Sequence, residues 1–257
     1  MTQPVVLEVK NLRTSFKGDD GKLYPAVNDV SLQIGRGQIL GLVGESGSGK
    51  SVTGFSIMGL IDPPGQIEQG EILFKGQDIR RYSPKQMRQL QGNRLAMIFQ
   101  DPMMTLNPVL RIDVQMVETI RAHERVSKAQ ALDRAIQTLA LMGIPSPAER
   151  IRQYPHQMSG GMRQRVAIAI AMLHQPDLII ADEPTTALDV TIQAQILSEV
   201  QKRVREQGTS LIWITHDLSV VAGLADEIAV MYAGRIVESG PVNTVLDYPA
   251  HPYTEGL

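Results

Sequence analysis

The sequence predicts an α/β fold with a parallel sheet at its centre. Three runs have the length and apolar composition of buried strands: ILGLV at 39–43, DLIIADE at 177–183 and TSLIWITH at 209–216. Helical patterns separate these runs: about 51–61, a segment just after Gly161, and 190–207. Strands that alternate with helices along a chain are typical of a parallel sheet.

The chain begins with residues that predict a strand-rich, partly antiparallel segment. VVLEVKNL at 5–12 alternates apolar and polar residues, and SLQI at 31–34 precedes the turn GRGQ. After Lys50, SVTGFSIMGLI predicts a helix over 51–61, and the turn DPPG at 62–65 follows it.

One helix in the middle of the chain carries several independent signals. Ser127 and Gln130 have the spacing of a capping box, and Gly143 marks the far end. Apolar residues repeat between them at helical intervals: Leu132, Ile136, Leu139 and Met142.

Two further elements are predicted towards the C-terminus. The helix over 190–207 has one apolar face, formed by Ile192, Ile196, Val200 and Val204, with Gly208 after it. EIAVMYAGRIVESG at 227–240 predicts a hairpin that turns at Ala233 and Gly234.

Composition excludes several classes of protein. Lys and Arg number 25 against 27 Asp and Glu, a balance that gives no general attraction to nucleic acid. The longest apolar run, VAIAIAML at 166–173, is far shorter than the roughly 18 residues of a membrane span. No signal segment is recognisable, and the absence of cysteine excludes disulfides and thiolate metal sites. We therefore expect a soluble cytosolic protein.

The most specific motif is GESGSGKS at 44–51, a full match to G-x-x-x-x-G-K-[ST] between a predicted strand and a predicted helix. Its glycines allow backbone N–H groups to turn inward around phosphates. Lys50 would reach the β and γ phosphates, and Ser51 could ligate Mg²⁺. A chance Gly/Ser loop before a helix is the alternative, and the strand and helix context argues against it.

Two carboxylates end the apolar run LIIADE at 178–183. Asp182 is placed to hold Mg²⁺ directly or through water, the usual partner of a phosphate loop. Glu183 could polarise an attacking water as a general base. Without the phosphate loop, the two acids would more simply be solvated residues at a strand end.

Six motifs together resemble the ATP-binding-cassette ATPases. They occur in that family's order and approximate spacing: GESGSGKS, Gln100 in IFQDP, MSGGMRQR at 158–165, LIIADEP, TALD at 186–189 and ITHD at 214–217. The resemblance covers essentially the whole chain. It implies an α/β fold with a P-loop (RecA-like) ATPase core, an N-terminal antiparallel β subdomain and an inserted α-helical subdomain.

The same resemblance implies a division of one ATPase domain, 1–257. The nucleotide-binding core with the β subdomain would occupy 1–100 and 169–235, and the helical signature subdomain 101–168. Residues 236–257 would form a C-terminal extension. Members of this branch often continue past HPYT into a cysteine-bearing tail that this sequence lacks, so we expect either a shorter relative or a truncated chain.

Residue roles carried over from the family are as follows. Gln100 would sense Mg²⁺ and water and act as a metal ligand with Ser51 and Asp182. His216 would contact the γ-phosphate, and Lys50, Gln100, Glu183 and His216 would form the catalytic set. Seen alone, Gln100 could be an ordinary surface residue and His216 a structural one.

The expected ATP-binding residues are Phe16, Gly44, Ser46, Gly47, Ser48, Gly49, Lys50, Ser51, Val52 and Asp182. Phe16 would stack on adenine, with Tyr24 as the substitute, although an aromatic residue in a strand can equally belong to the core. Asp189 would communicate across a dimer, and it can also cap the following helix.

A second glycine turn, Ser159, Gly160 and Gly161, also precedes a helix, where N–H groups and the helix dipole favour phosphate. In the family this loop serves another subunit. Two cassettes pack head to tail, and each nucleotide lies between one chain's phosphate loop and the other chain's signature loop. Here Met158 and Met162 replace the outer residues of the consensus LSGGQ.

Three further features resemble the ATPases of oligopeptide, dipeptide and nickel importers. They are the segment FQDPMMTLNPVLRI, the second methionine of the signature and the ending HPYTEGL. This implies ATP and Mg²⁺, a second and different ATPase subunit, two membrane permeases and an extracytoplasmic binding protein. The expected location is the inner face of the cell membrane, with residues 101–126 meeting the permeases.

The alternative is a soluble cassette ATPase that acts on nucleic acid or ribosomes, or a regulatory scaffold. The basic residues between Arg80 and Arg94 are the main support for this alternative.

Overall fold

The computed structural model describes residues 4–185 and 190–257. Its strands are β1 (Val5–Lys17), β2 (Leu23–Gly35), β3 (Ile39–Val43), β4 (Gly65–Phe74), β5 (Gln77–Asp78), β6 (Leu95–Ile98), β7 (Leu178–Asp182), β8 (Ser210–Thr215), β9 (Glu227–Tyr232) and β10 (Arg235–Pro241). Its helices are α1 (Lys50–Met58), α2 (Pro84–Leu90), α3 (Ile112–His123), α4 (Lys128–Leu141), α5 (Pro147–Arg150), α6 (Gly160–Met172), α7 (Val190–Gln207), α8 (Leu218–Leu224), α9 (Val242–Asp247) and α10 (Pro252–Glu255).

Two sheets organise these elements. The larger has the order β10-β9-β3-β8-β7-β6, in which only β10 runs antiparallel to its neighbour. The smaller, β2-β1-β4-β5, is antiparallel throughout. The predicted α/β fold with an N-terminal antiparallel β subdomain is therefore confirmed.

The central strands are apolar on both faces because each face is covered. On one face, Trp213 and Ile179 join the core formed with α3, α4 and α6. On the other, Ile212 and Ile214 pack with α1 and the smaller sheet. Since side chains alternate along a strand, this burial on both sides explains the unbroken apolar runs of β3, β7 and β8.

The first predicted helix ends earlier than the sequence pattern suggested. It stops at Met58 instead of 61, because Gly59 adopts a left-handed conformation with φ of 66° and closes the helix. The helix predicted to begin after Gly161 starts at Gly160 and runs through Met172, across the predicted subdomain boundary at 168.

The capping box of α4 is confirmed, since Ser127 Oγ accepts from Gln130 N–H at 3.2 Å and Gln130 Oε1 from Ser127 N–H at 3.0 Å. Of the predicted apolar face, Leu139 and Met142 are buried and Leu132 and Ile136 pack half-buried against the same core. Ala131 and Ala135, which were not predicted, complete the buried face. The hairpin turn at Ala233 and Gly234 is confirmed as well. Among the described residues, no helix has the length and apolarity needed to cross a lipid bilayer.

Candidate active site

The phosphate loop, residues 44–49, connects β3 at the centre of the larger sheet to α1. Its glycines are required by close neighbours. A Cβ atom on Gly44 would lie 2.1 Å from the Met231 carbonyl oxygen, and one on Gly49 would lie 2.4 Å from that of Ala26. The loop is therefore enclosed by β2 and by the end of β9.

Lys50 is buried at the start of α1. Its Nζ donates to the carbonyl oxygens of Gly44, at 2.6 Å, and Glu45, at 2.9 Å. Burial lowers the pKa of Lys50, and the carboxylates of Glu183 and Asp182 oppose that shift. Because both hydrogen-bond acceptors are neutral carbonyls, an anionic oxygen would form the stronger hydrogen bond with this ammonium group.

Backbone donors at the start of α1 face the same loop. The helical ladder begins with Thr53 N–H donating to Gly49 O at 2.9 Å. The N–H groups of Lys50, Ser51 and Val52 therefore lie in the first turn, where the helix itself offers no acceptor. The Val52 side chain packs against the apolar core, so only its backbone is placed to meet a phosphate.

The remaining loop residues differ in exposure. Ser46 and Gly47 are exposed at the crest of the loop, whereas Ser48 is buried. Within the described part of the chain, Ser48 Oγ has no hydrogen-bond partner. A buried hydroxyl of this kind at the base of a loop rich in N–H groups suits a site completed by an acceptor such as phosphate.

Ser51 and Asp182 form the pair expected to hold a cation. Ser51 Oγ donates to Asp182 Oδ1 at 2.9 Å. Burial raises the pKa of Asp182, and the hydrogen bond from Ser51 opposes it. In residues 4–185 and 190–257, no cluster of three or more His, Asp or Glu side chains could hold a metal ion. Two protein oxygens fit Mg²⁺, which usually completes its shell with water and substrate phosphates.

Glu183 lies between Gln100 and His216. Its Oε2 accepts from Gln100 Nε2 at 3.4 Å, and its Oε1 lies 3.2 Å from His216 Nδ1. The three residues follow β7, β6 and β8, which are neighbours in the sheet, so their carboxyl ends meet at one edge. The structure thus brings these predicted residues together. Of the three predicted metal ligands, Ser51 and Asp182 are hydrogen-bonded to each other, whereas Gln100 is hydrogen-bonded to Glu183.

The backbone of Glu183 is held in an unusual conformation. Its φ of 43° lies in the left-handed region, which costs a residue with a Cβ atom roughly 1–2 kcal/mol. Its N–H donates to Ile214 O at 2.9 Å across to β8. Strain of this kind concentrates at functional sites.

The signature loop begins α6. Ser159 caps the helix, its Oγ accepting from Met162 N–H at 3.3 Å, a role that was not predicted from the sequence. Ser159 and Gly160 are exposed and Gly161 is buried. A Cβ atom added to Gly160 would meet open space within the chain.

The two candidate adenine residues pair across β1 and β2. The Phe16 ring is half-buried and packs at the start of β4, where a Cβ on Gly65 would lie 2.7 Å from it. Tyr24 is 55% exposed and its hydroxyl donates to Asp20 at 2.9 Å. Tyr24 is the more accessible for stacking, and the assignment to Phe16 stays a prediction. Asp189, with the rest of TALD at 186–189, lies outside the described residues.

One contact of the phosphate loop had no local signal in the sequence. The hydroxyl oxygen of Tyr253 accepts from Glu45 N–H at 2.9 Å. Tyr253 belongs to the ending HPYTEGL, a segment that indicates the family resemblance but predicts no role at the site.

Comparisons with known proteins agree with this geometry. The ABC transporter family profile matches residues 27–186. The chain is 53% identical over 253 residues to the oligopeptide transport ATP-binding protein OppD of Bacillus subtilis, covering 98% of this chain and 70% of that protein. It is 51% identical over 259 residues to the probable D,D-dipeptide transport ATP-binding protein DdpD of Escherichia coli, covering 100% and 78%.

Solved structures give the same result. The dimeric structure of MJ0796, described as a bacterial ABC transporter cassette, superposes with a TM-score of 0.82 at 26% identity, covering 92% of this chain and 98% of that one. A second structure of that cassette, described as a post-hydrolysis state bound to ADP and Pi, has the same TM-score, identity and coverage. The chain therefore belongs to the ABC transporter family, as an ATP-hydrolysing cassette of the branch that contains the oligopeptide and dipeptide transport ATP-binding proteins.

Proposed function

We propose that this cassette powers the uptake of di- or oligopeptides and hydrolyses ATP at the site around Lys50. The observation that carries the assignment of the site is the position of Glu183, held between Gln100 and His216 beside the Ser51–Asp182 pair. The peptide substrate rests on the names of the relatives, which are oligopeptide and dipeptide transport proteins.

Each group at the site has a chemical role in this proposal. Lys50 and the first-turn N–H groups bind the β and γ phosphates, and Glu183 orients the attacking water and accepts its proton. His216 fixes the orientation of the Glu183 carboxylate. Ser51 and Asp182, with Gln100 nearby, would hold Mg²⁺, which when bound neutralises phosphate charge. Positioning and charge neutralisation supply most of the acceleration of phosphoryl transfer.

The signature loop acts on a partner's nucleotide in this proposal. The open space around Gly160 leaves room for a ligand brought by another molecule, and the similar MJ0796 cassette is described as dimeric. Residues 159–161 of one chain would then cover the phosphates held by the other chain's loop. Importers that the chain resembles usually pair two different ATPases, so we propose a heterodimer.

The proposed partners also include two membrane permeases and, indirectly, an extracytoplasmic binding protein. The surface for the permeases is the segment 101–126, which contains Met104, 69% exposed, and Val109, 75% exposed. Both side chains leave apolar surface open to a partner, and contiguous exposed apolar patches mark interaction sites. The cassette would then lie on the inner face of the membrane.

The alternative of a nucleic-acid or ribosome ATPase is not favoured by the relatives. Three of the basic residues that supported it also make contacts within the chain. Arg81 pairs with Asp78 at 3.0 Å, and Arg80 donates to the Gly70 carbonyl oxygen. Arg94 lies 3.9 Å from Asp177.

A transport assay tests the proposal. The chain would be reconstituted in liposomes with its permeases, partner ATPase and binding protein, and uptake of labelled di- and tetrapeptides would be compared with uptake of Ni²⁺. We expect ATP-dependent peptide uptake that Lys50→Ala abolishes. ATP-dependent uptake of Ni²⁺ without peptide, or no uptake in an active ATPase complex, would contradict the proposed substrate.

A further inference from the structure

The C-terminal residue Tyr253 contacts the phosphate loop from outside the six motifs. Its hydroxyl oxygen accepts from Glu45 N–H at 2.9 Å. The carbonyl of the same peptide unit, Gly44 C=O, accepts from Lys50 Nζ at 2.6 Å. One peptide plane is therefore held on one side by Tyr253 and on the other by Lys50.

The Glu45 residue is also fixed on its C-terminal side. Its carbonyl oxygen accepts from Ser48 N–H at 3.2 Å and from Lys50 Nζ at 2.9 Å. A change in the orientation of the 44–45 peptide would therefore move the Gly44 carbonyl, one of the two acceptors that set the position of the Lys50 ammonium. The position of Tyr253 therefore affects the conformation of the proposed phosphate loop.

Two contacts hold Tyr253 itself, and two more hold the residues just before it. Its ring lies 4.5 Å, centroid to centroid, from the ring of Tyr232, the residue before the β9–β10 turn. Its N–H donates to His251 Nδ1 at 3.1 Å. Glu238 of β10 accepts from His251 N–H at 3.0 Å and from Ala250 N–H at 2.8 Å. The segment before α10 is thus attached to β10.

The β9–β10 turn is hydrogen-bonded to the other end of the phosphate loop. Gly234 N–H donates to Ser48 O at 2.9 Å. Tyr253 at Glu45 and Gly234 at Ser48 therefore hold opposite ends of the loop, and the contact between the tilted rings of Tyr232 and Tyr253 connects the two points. An ordered loop loses less conformational entropy when it binds phosphate.

We propose that Tyr253 is a positioning residue for ATP binding, which orders the 44–45 peptide and through it Lys50. The proposal rests on the proposed function in assuming that this loop binds ATP. Tyr253 touches neither the reacting atoms nor the general base, so its effect falls on nucleotide affinity and KM, and the rate at saturation is retained.

The test compares Tyr253→Phe with Tyr248→Phe. The first removes the hydroxyl and keeps the ring that contacts Tyr232; the second removes a hydroxyl from the same segment at a side chain that is 79% exposed. For Tyr253→Phe we expect ATP affinity of the purified chain to fall by roughly three- to tenfold, the effect of one hydrogen bond. In the assembled complex, KM for ATP should rise by a similar factor while kcat stays within about twofold.

Amide hydrogen exchange separates positioning from general destabilisation. In Tyr253→Phe, exchange at Glu45 N–H should accelerate while the melting temperature of the nucleotide-free chain stays near that of the wild type. Unchanged ATP affinity and unchanged protection at Glu45 would overturn the inference, and so would loss of protection throughout the chain. If Lys50→Ala also left ATP affinity intact, the proposed phosphate loop itself would be wrong; intact affinity in Tyr253→Phe alone would remove only Tyr253.

Discussion

The carboxylate of Glu183 contacts the imidazole of His216, with Oε1 3.2 Å from Nδ1. The two residues follow adjacent parallel strands, β7 and β8, and the Glu183 N–H donates back to Ile214 at the end of β8. Contact with a neighbouring group that fixes its orientation suits Glu183 to the proposed role of general base.

Replacing Glu183 with Gln should leave ATP binding intact and slow hydrolysis by roughly 10²- to 10⁴-fold, because the amide keeps the shape of the side chain but cannot accept a proton. ATP affinity and steady-state ATPase activity of the assembled complex are the measurements. An unchanged turnover number in a complex that binds ATP normally would remove Glu183 from the role of base.

Lys50→Ala should weaken ATP binding by roughly 10- to 100-fold, since it deletes charge-assisted hydrogen bonds to phosphate. The chain should stay folded, because burial already disfavours the charged form of Lys50, as its lowered pKa indicates. Calorimetric titration with ATP, with a thermal melt of the same sample, measures both effects. Lys85→Ala, at an exposed position in α2, is the control. Wild-type affinity in Lys50→Ala would exclude the phosphate-loop assignment.

The pairing of Glu124 predicts a pH-dependent contribution to stability. Arg134 Nη1 donates to both carboxylate oxygens, at 2.8 and 2.7 Å, and His174 Nδ1 lies 2.8 Å from Oε1. Hydrogen bonds from Arg134 hold the pKa of Glu124 below its ordinary value. The ring centroids of His123 and His174 lie 5.1 Å apart. Burial lowers the pKa of His123.

A carboxylate with a lowered folded-state pKa stabilises the fold above its unfolded pKa, about 4.3 for Glu, and loses this effect as the pH falls through the folded value. At pH near 7 we expect Glu124→Gln to lower the free energy of unfolding by about 0.5–1 kcal/mol, because the pair is partly exposed. The difference from wild type should shrink below about pH 4. Urea unfolding at both pH values measures it, and a constant difference would refute the link to ionisation.

Local patterns in the sequence were sufficient to predict the central strands and the phosphate loop. β3, β7 and β8 are unbroken apolar runs because both faces of the sheet are buried. Such runs can be recognised from the sequence alone. By contrast, β6 has only four residues, too few for any periodicity to be recognised, and it was not predicted.

The site was predictable in its parts and not in its contacts. Gln100 and Glu183 are 83 residues apart in the chain, and Glu45 and Tyr253 are 208 apart. Such contacts depend on the order of strands in the sheet, which single-segment patterns do not specify. The capping role of Ser159 was local, and the serine before a helix was a signal that could have predicted it.

Gly160 offers the sharpest test of a site shared between two chains. A Cβ atom at this position meets no neighbour within its own chain, and an aspartate in the first turn of α6 suits the helix dipole. Gly160→Asp should therefore fold normally. Across a closed dimer, however, its carboxylate would face the γ-phosphate held by the partner's loop, and the like charges would repel. Met162→Gln, which restores the family consensus beside it, is the matched control and should be tolerated.

The most direct measurement is the ATP affinity of the isolated Gly160→Asp chain beside the ATPase activity of the complex that contains it. A shared site predicts near-normal ATP binding by the isolated chain and loss of hydrolysis and transport in the complex. Loss of ATP binding by a correctly folded isolated chain would show that both glycine loops grip one nucleotide within the same subunit, and would contradict the shared site.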